Sequence, residues 1–171
     1  MKTLEMKLAN FDNLKEIMKI IHQAQSYFKK AGINQWQNNY PNETTIINDI
    51  NSNSSYILVE NEVILGTVSI SFKEELTYQI IDGNWINLKP YVVLHRLAIE
   101  ETKKGFNIAS KILDYSYKIA KEKQIYNIKI DTHKNNKSMQ AFLIKHNFIY
   151  CGIIKLNDGS KRLAYQKEIE E

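Results

Sequence analysis

Residues 91–133, "YVVLHRLAIEETKKGFNIASKILDYSYKIAKEKQIYNIKIDTH", constrain the fold more than any other stretch of the chain. Residues 91–99 are apolar and β-branched enough for a central strand. A polar turn with one glycine, Gly105, follows. Beyond it Ile108, Ile112, Tyr115 or Ser116, and Ile119 recur at helical spacing and predict an amphipathic helix to about residue 122. "YNIKIDTH" then predicts a second strand. A helix start leaves N–H groups unpaired and carries partial positive charge, so the turn can hold an anion. Taken alone, it reads equally well as an ordinary strand-to-helix connection.

The rest of the chain continues the alternation. Residues 2–8 predict a first strand. Asp12 or Asn13 can cap a helix whose apolar stripe is Leu14, Ile17, Ile21, Ala24 and Phe28, with Gly32 ending it. The loop "INQWQNNYPN" precedes a short helix carrying Ile46, Ile47 and Ile50. "SYILVE" and "VILGTVSISF" predict a hairpin turning at Asn61–Glu62. "IDGNWI" has turn chemistry at Asp82–Gly83 and is the least legible segment. "NKSMQAFLIKH" predicts a helix with Met139, Phe142 or Leu143, and His146 on one side, and "NDG" joins two closing strands. The order β-α-α-β-β-β-α-β-α-β-β predicts an α/β fold, one domain over residues 1–171 with a mixed sheet covered by helices on both faces.

Composition narrows the function classes. A chain of 171 residues, 43% hydrophobic and 25% charged, has globular rather than disordered composition. No apolar run approaches the ~20 residues that span a bilayer, and "MKTLEMKLANFDNL" lacks a secretory apolar segment. A single cysteine, Cys151, excludes an internal disulfide framework and fits a reducing cytosol. The expectation is a soluble cytoplasmic protein without a membrane partner. The net charge of +4 is spread along the chain, and only Arg96 and Arg162 are arginines, so nucleic acid is not expected as a partner. No His/Cys cluster has metal-ligand spacing and no serine-nucleophile elbow is present, so no metal is expected.

Three motifs together resemble the GCN5-related N-acetyltransferases, the GNAT superfamily. "HRLAIEETKKGFNIASKIL" is similar to the family's acetyl-CoA motif, a strand leading to Arg/Gln-x-x-Gly-x-Gly/Ala and a helix; here it reads Lys104-Gly105-Phe106-Asn107-Ile108-Ala109. "NKSMQAFLIKHNF" is similar to the second motif, whose Asn opens a helix ending in Gly-Phe. Asn136 and Phe148 match, and Asn147 replaces the glycine. The closing hairpin "DGSKRLAYQK" is also typical. The resemblance covers most of the chain and is sharpest over residues 91–168. It implies a largely antiparallel sheet splayed at its middle strands.

It also implies acetyl-CoA as co-substrate and direct acetyl transfer to a primary amine of a small molecule or peptide, in a monomer or homodimer. Backbone amides from Gly105 to Ser110, with Phe106, Asn107, Ile108 and Ala109 between them, would face the pyrophosphate, and Lys104 would add charge. Asn136 is carried over as a cofactor-binding position. A bulge in the strand would turn backbone groups of Leu97, Ala98 and Ile99 toward the pantetheine and acetyl carbonyl. The family's proton-donating tyrosine corresponds to Leu143, which leaves the usual general acid unassigned. Asn at 107 is compatible with the glycine it replaces, being among the few residues enriched at positive φ. A left-handed Asn107 is therefore expected.

Five further side chains invite acceptor chemistry. His95 alternates with Leu97 and Ile99 and is expected on their face, either as a hydrogen-bonded core residue or as a base. Asp131 and His133, two apart on a strand, are expected to share a face. They read either as a base that takes the proton of an ammonium substrate or as a structural Asp–His pair. Trp36 and Tyr40 fall in the acceptor-binding region of the family, where they could form an aromatic wall or seal the first helix against the sheet. The missing tyrosine leaves open a second reading, a non-catalytic acyl-CoA-binding or sensing module.

Overall fold

A computed structural model describes residues 3–171 of the chain; residue 2, part of the first expected strand, lies outside the described residues. Eight strands form one sheet: β1 (Leu4–Leu8), β2 (Ser55–Glu60), β3 (Val63–Ser71), β4 (Asp82–Gly83), β5 (Val92–Ile99), β6 (Asn127–Thr132), β7 (Ile149–Lys155) and β8 (Lys161–Glu168). Their spatial order is β1-β2-β3-β5-β6-β8-β7-β4. Every neighbouring pair is antiparallel except β5 and β6. The helices are α1 (Leu14–Lys30), α2 (Glu43–Asn51), α3 (Ile108–Glu122) and α4 (Lys137–Lys145). The mixed sheet with helices on both faces is as the sequence predicts.

Helices α1 and α2 cover one face with Ile17, Ile20, Ile21, Ile46 and Ile50, against Ile57, Val59 and Ala98. On the opposite face Ile108, Ile112 and Leu113 of α3 and Leu143 of α4 meet Leu58, Val68, Ile70, Val92, Leu94, Ile128 and Ile130. Each fully buried Ile or Leu contributes about 2 kcal/mol, so the two apolar stripes fix which way each helix faces. Local signals set the ends. Asn42 and Thr45 form a reciprocal capping box at the start of α2, and Gly32, at φ 68, follows the end of α1.

Residues 72–91 cover the remainder of the α1/α2 face, packing Tyr78, Ile81, Trp85 and Tyr91 on Val93, Ile154 and Ala164. Beneath them lies Lys129, 3% exposed, its ammonium 3.9 Å from the Trp85 ring centroid and 3.8 Å from that of Tyr91. Within this segment the expected turn at Asp82–Gly83 is instead β4, an edge strand on β7. Gly83 and Gly152 permit this crossing. A Cβ on either would stand 2.1 or 2.2 Å from a carbonyl oxygen of the facing strand.

Asparagine takes over much of the work of glycine elsewhere. Of ten non-glycine residues at positive φ among the described residues, six are asparagines, among them Asn61 in the β2–β3 turn, Asn107, and Asn147 after α4. Both positions where Asn replaces a motif glycine are thus in the conformation that glycine would supply.

Candidate active site

The sheet opens at its middle. β5 and β6 are in register only at Val92 with Ile128 and Val93 with Lys129. Beyond that point the strands part, and Leu94–Ile99 meet no strand on that side. Toward β3, Ser69 opposes His95 and Thr67 opposes Ala98, so Arg96 and Leu97 together stand against Val68. This is a β-bulge, with Arg96 at φ 54. Leu97 has no register partner on either neighbour, which leaves its backbone groups available, and Ala98 and Ile99 are free on the β6 side.

The bulge also reverses the alternation of side chains. Val92 and Leu94 face α3 before it, and Leu97 and Ile99 face α3 after it. His95 therefore does not share the face of Leu97 and Ile99, contrary to simple alternation. It lies with Val93 and Ala98 on the opposite face, where its Nε2 is 3.2 Å from Glu75 Oε2. The hydrogen bond from His95 brings the Glu75 carboxyl down to about 2, against the opposing effect of burial. The Thr77 hydroxyl also donates to Glu75, at 2.9 Å.

Asp131 occupies the same face from β6 and accepts a 2.6 Å hydrogen bond from the Tyr78 hydroxyl. Burial, with the Asp131 charge beside it, pushes the Tyr78 phenol well above its ordinary range, so it remains a donor. His133 does not join Asp131. β6 ends at Thr132, the chain turns, and His133 Nδ1 accepts the Asn135 backbone N–H at 3.1 Å. The structure thus replaces the expected Asp–His pair with two others, Tyr78–Asp131 and Glu75–His95.

A cleft of about 810 Å³ joins these groups. Its walls include His95 and Asp131 from one face of the sheet and Leu97, Ile130, Thr132 and Met139 from the other, so it passes between the splayed strands. The Thr132 hydroxyl is buried in its wall and has no hydrogen-bond partner among the described residues. Asn136 caps α4, its side-chain oxygen accepting from Met139 N at 3.1 Å, and its amide donates to Gln35 at 3.0 Å. That bond ties the α4 cap to the α1–α2 loop.

Trp36 and Tyr40 line the cleft from the same loop. Trp36 also stands edge-on to Phe28, with centroids 5.6 Å apart, so it seals α1 and faces the cleft at once. The Tyr40 hydroxyl accepts from Arg96 at 3.1 Å, and Arg96 forms a bidentate pair with Asp49 of α2. Sequence reasoning did not single out Glu75, Tyr78 or Asp49. Arg96 carried one signal, being an arginine inside an apolar strand of a chain whose cations are otherwise lysines and Arg162.

At the start of α3, Asn107 has φ 63 and ψ 22, the expected left-handed conformation. No side chain caps this end and the first turn holds no acidic residue. The first-turn N–H groups of Ile108, Ala109 and Ser110 have no intrahelical acceptor. Gly105 has φ 83 and open space beside it, and Phe106 is exposed. The Lys104 ammonium rests 4.3 Å from the Tyr27 ring centroid. The Ser110 hydroxyl is 2.9 Å from His146 Nε2, so only its backbone is free. An unpaired strand edge, a left-handed turn and an uncapped helix start suit an extended ligand with an anionic segment. Among the described residues no group of three His, Cys, Asp or Glu side chains is placed to hold a metal, and no helix is long and apolar enough to cross a membrane.

A parallel pair splayed beside a bulge, with this helix start, defines an acetyltransferase fold of the GNAT type. Residues 16–148 match the acetyltransferase (GNAT) family. The crystal structure of a GNAT-family acetyltransferase from Streptococcus agalactiae is 30% identical, with TM-score 0.88 over 98% of this chain and 96% of that one. PaiA N-acetyltransferase from Thermoplasma acidophilum, solved with coenzyme A, is 16% identical, with TM-score 0.72 over 97% and 99%. YncA from Salmonella typhimurium, solved with acetyl-CoA, is 11% identical, with TM-score 0.69 over 98% and 95%. The last two share the fold. No curated protein matches the chain. The chain belongs to the GNAT family of acetyltransferases.

Proposed function

We propose that the protein transfers the acetyl group of acetyl-CoA directly to a primary amine, both substrates occupying the cleft between β5 and β6. One observation carries this reading: the cleft joins the unpaired backbone at the β5 bulge to an end holding Glu75–His95 and Asp131. When bound, acetyl-CoA supplies an acetyl group activated as a thioester. The N–H groups of Ile108, Ala109 and Ser110, with the turn at Gly105 and Asn107, suit its pyrophosphate, and Lys104 adds positive charge. The free backbone of Leu97, Ala98 and Ile99 suits the pantetheine arm, and an N–H there can stabilise negative charge developing on the acetyl oxygen. Two proteins of the same fold were solved with coenzyme A or acetyl-CoA, which supports acetyl-CoA as the co-substrate.

An amine arrives as an ammonium ion and must lose a proton before it can attack. The Asp131 carboxylate attracts it. His95, with Nε2–H directed to Glu75, keeps Nδ1 as a proton acceptor, and the carboxylate orients the imidazole. Trp36 and Tyr40 border the amine end. Leu143, at the family's tyrosine position, is fully buried in the core and offers no proton donor. That residue favours the second reading, a module that binds acyl-CoA without transfer.

The two readings separate in an assay that follows free thiol and acetylated amine together. Transfer gives both in equal amounts across an amine library. In His95→Ala, kcat falls at least tenfold while CoA affinity holds. CoA binding without product from any amine would support the sensing module.

A further inference from the structure

Beside the cleft is a second, smaller pocket of about 350 Å³, largely apolar in its walls but with four basic residues in its lining. His133, Lys134, Lys161 and Arg162 line it with Asn34, Ser160, Ile153 and Leu163, and no carboxylate is among them. Asn34, Ser160 and Arg162 also line the main cleft, so the two spaces adjoin. The pocket lies at the end of β6, where His133 follows Asp131 by two residues and Leu163 pairs with Thr132.

The charges there are not neutralised from within. Among the described residues the ion pairs are Lys7–Glu62, Lys19–Glu16, Lys89–Glu168, His95–Glu75 and Arg96–Asp49; none includes Lys134, Lys161 or Arg162. Asp158, which lies in the field of Arg162, is engaged by the Ser160 N–H at 2.9 Å and the Ser160 hydroxyl at 2.5 Å. Arg162 uses one nitrogen on the Lys161 carbonyl, at 2.9 Å, and keeps other donors. The imidazole is set for the same task. His133 Nδ1 accepts from Asn135, so its proton sits on Nε2 as a donor. Burial, with Arg162 and Lys134 nearby, lowers its pKa and favours the neutral imidazole. An oxyanion entering the pocket would accept charge-assisted hydrogen bonds from donors of this kind.

We propose that this pocket binds a carboxylate or phosphate group of the acceptor, which is therefore a small amine carrying a separate negative charge. The proposal rests on the transferase function above. It divides the acceptor between two sites of opposite sign: the ammonium end at Asp131 and His95, and the anionic end at Arg162, Lys161, Lys134 and His133.

Two measurements test it together. In the first, inorganic phosphate is titrated while the His133 ring resonances are followed by NMR. Phosphate should shift them and raise the pH at which they titrate, and the effect should weaken at least fivefold in Arg162→Ala/Lys161→Ala. In the second, kcat/KM is compared for ω-amino acids, ω-aminoalkyl phosphates and uncharged alkylamines of three to eight carbons. At the best chain length one anionic series should exceed its alkylamine at least tenfold, and which series does so identifies the group. The double variant should lower that ratio tenfold, mainly through KM, and Arg162→Lys should retain part of it. A His133 resonance indifferent to phosphate would overturn the proposal. So would equal kcat/KM for charged and uncharged amines, an outcome that leaves the transferase reading intact. Thiol release from no amine at all, with phosphate still seen at His133, would defeat the transferase reading and take the acceptor role with it.

Discussion

Arg96 holds Asp49 through two hydrogen bonds, 2.7 Å from Nε and 2.6 Å from Nη2, from a backbone in the left-handed region at φ 54. A left-handed arginine costs about 1–2 kcal/mol, and the bidentate pair offsets it while tying the β5 bulge to α2. Both side chains are 13% exposed, so removing one charge strands the other away from water. Asp49→Asn should therefore destabilise the protein by about 3 kcal/mol, read by urea denaturation, and weaken acetyl transfer by loosening the bulge. Arg96→Gly relieves the backbone but loses the pair, and should also be less stable than wild type.

Glu75 gives a pH signature. Its carboxyl is held near 2 in the folded protein, below the ordinary value of 4.5. The stability it contributes is complete above about 4.5 and is lost as pH falls toward 2. Between pH 6 and pH 2.5 the stability difference between wild type and Glu75→Gln should shrink. In the same variant kcat should fall with CoA affinity preserved. A constant stability difference across that range would contradict the Glu75–His95 bond.

Asn107 tests the anion loop. Glycine at this position keeps positive φ at no steric cost, so Asn107→Gly should bind CoA about as tightly as wild type. Valine is β-branched and strained there, so Asn107→Val should bind at least tenfold more weakly by calorimetric titration. Equal affinity in the valine variant would mean that the turn does not need this conformation.

Much of this was legible in the sequence because it is local. The hairpin at Asn61–Glu62, the stripe on α1 and the left-handed Asn107 follow from residue types and short spacings. The bulge does not, since one extra residue in β5 leaves no mark in an apolar run, and it moved His95 to the other face. Asp131 was recognised but its partner was not. Tyr78 reaches it from a 3-10 turn 53 residues earlier in a segment without clear periodicity. Glu75 and Asp49 were missed for the same reason, because their partners come from distant elements. His133 was separated from Asp131 by the end of β6, and strand ends are what periodicity locates least well.

Lys129 should make stability rise with pH in alkali. Burial lowers its pKa to about 8 from 10.5. Across that interval the unfolded chain holds a proton that the folded protein has released, so the contribution of this group to stability grows as pH rises through it. Urea denaturation of wild type and Lys129→Met from pH 7 to pH 10 should show wild type gaining relative to the variant. A gap that stays constant or widens against wild type would show that the rings of Trp85 and Tyr91 hold the ammonium charged throughout.

The central claim is that the splayed strands and the α3 start form a CoA site, and melting with added acetyl-CoA tests it most directly. A ligand that binds only the folded state at about a hundredfold over its dissociation constant stabilises by about 2.7 kcal/mol, which for a chain of this size raises Tm by about 5–10 °C. Millimolar acetyl-CoA should give such a rise, reduced in Asn107→Val. No shift in Tm, and no heat on titration, would contradict it.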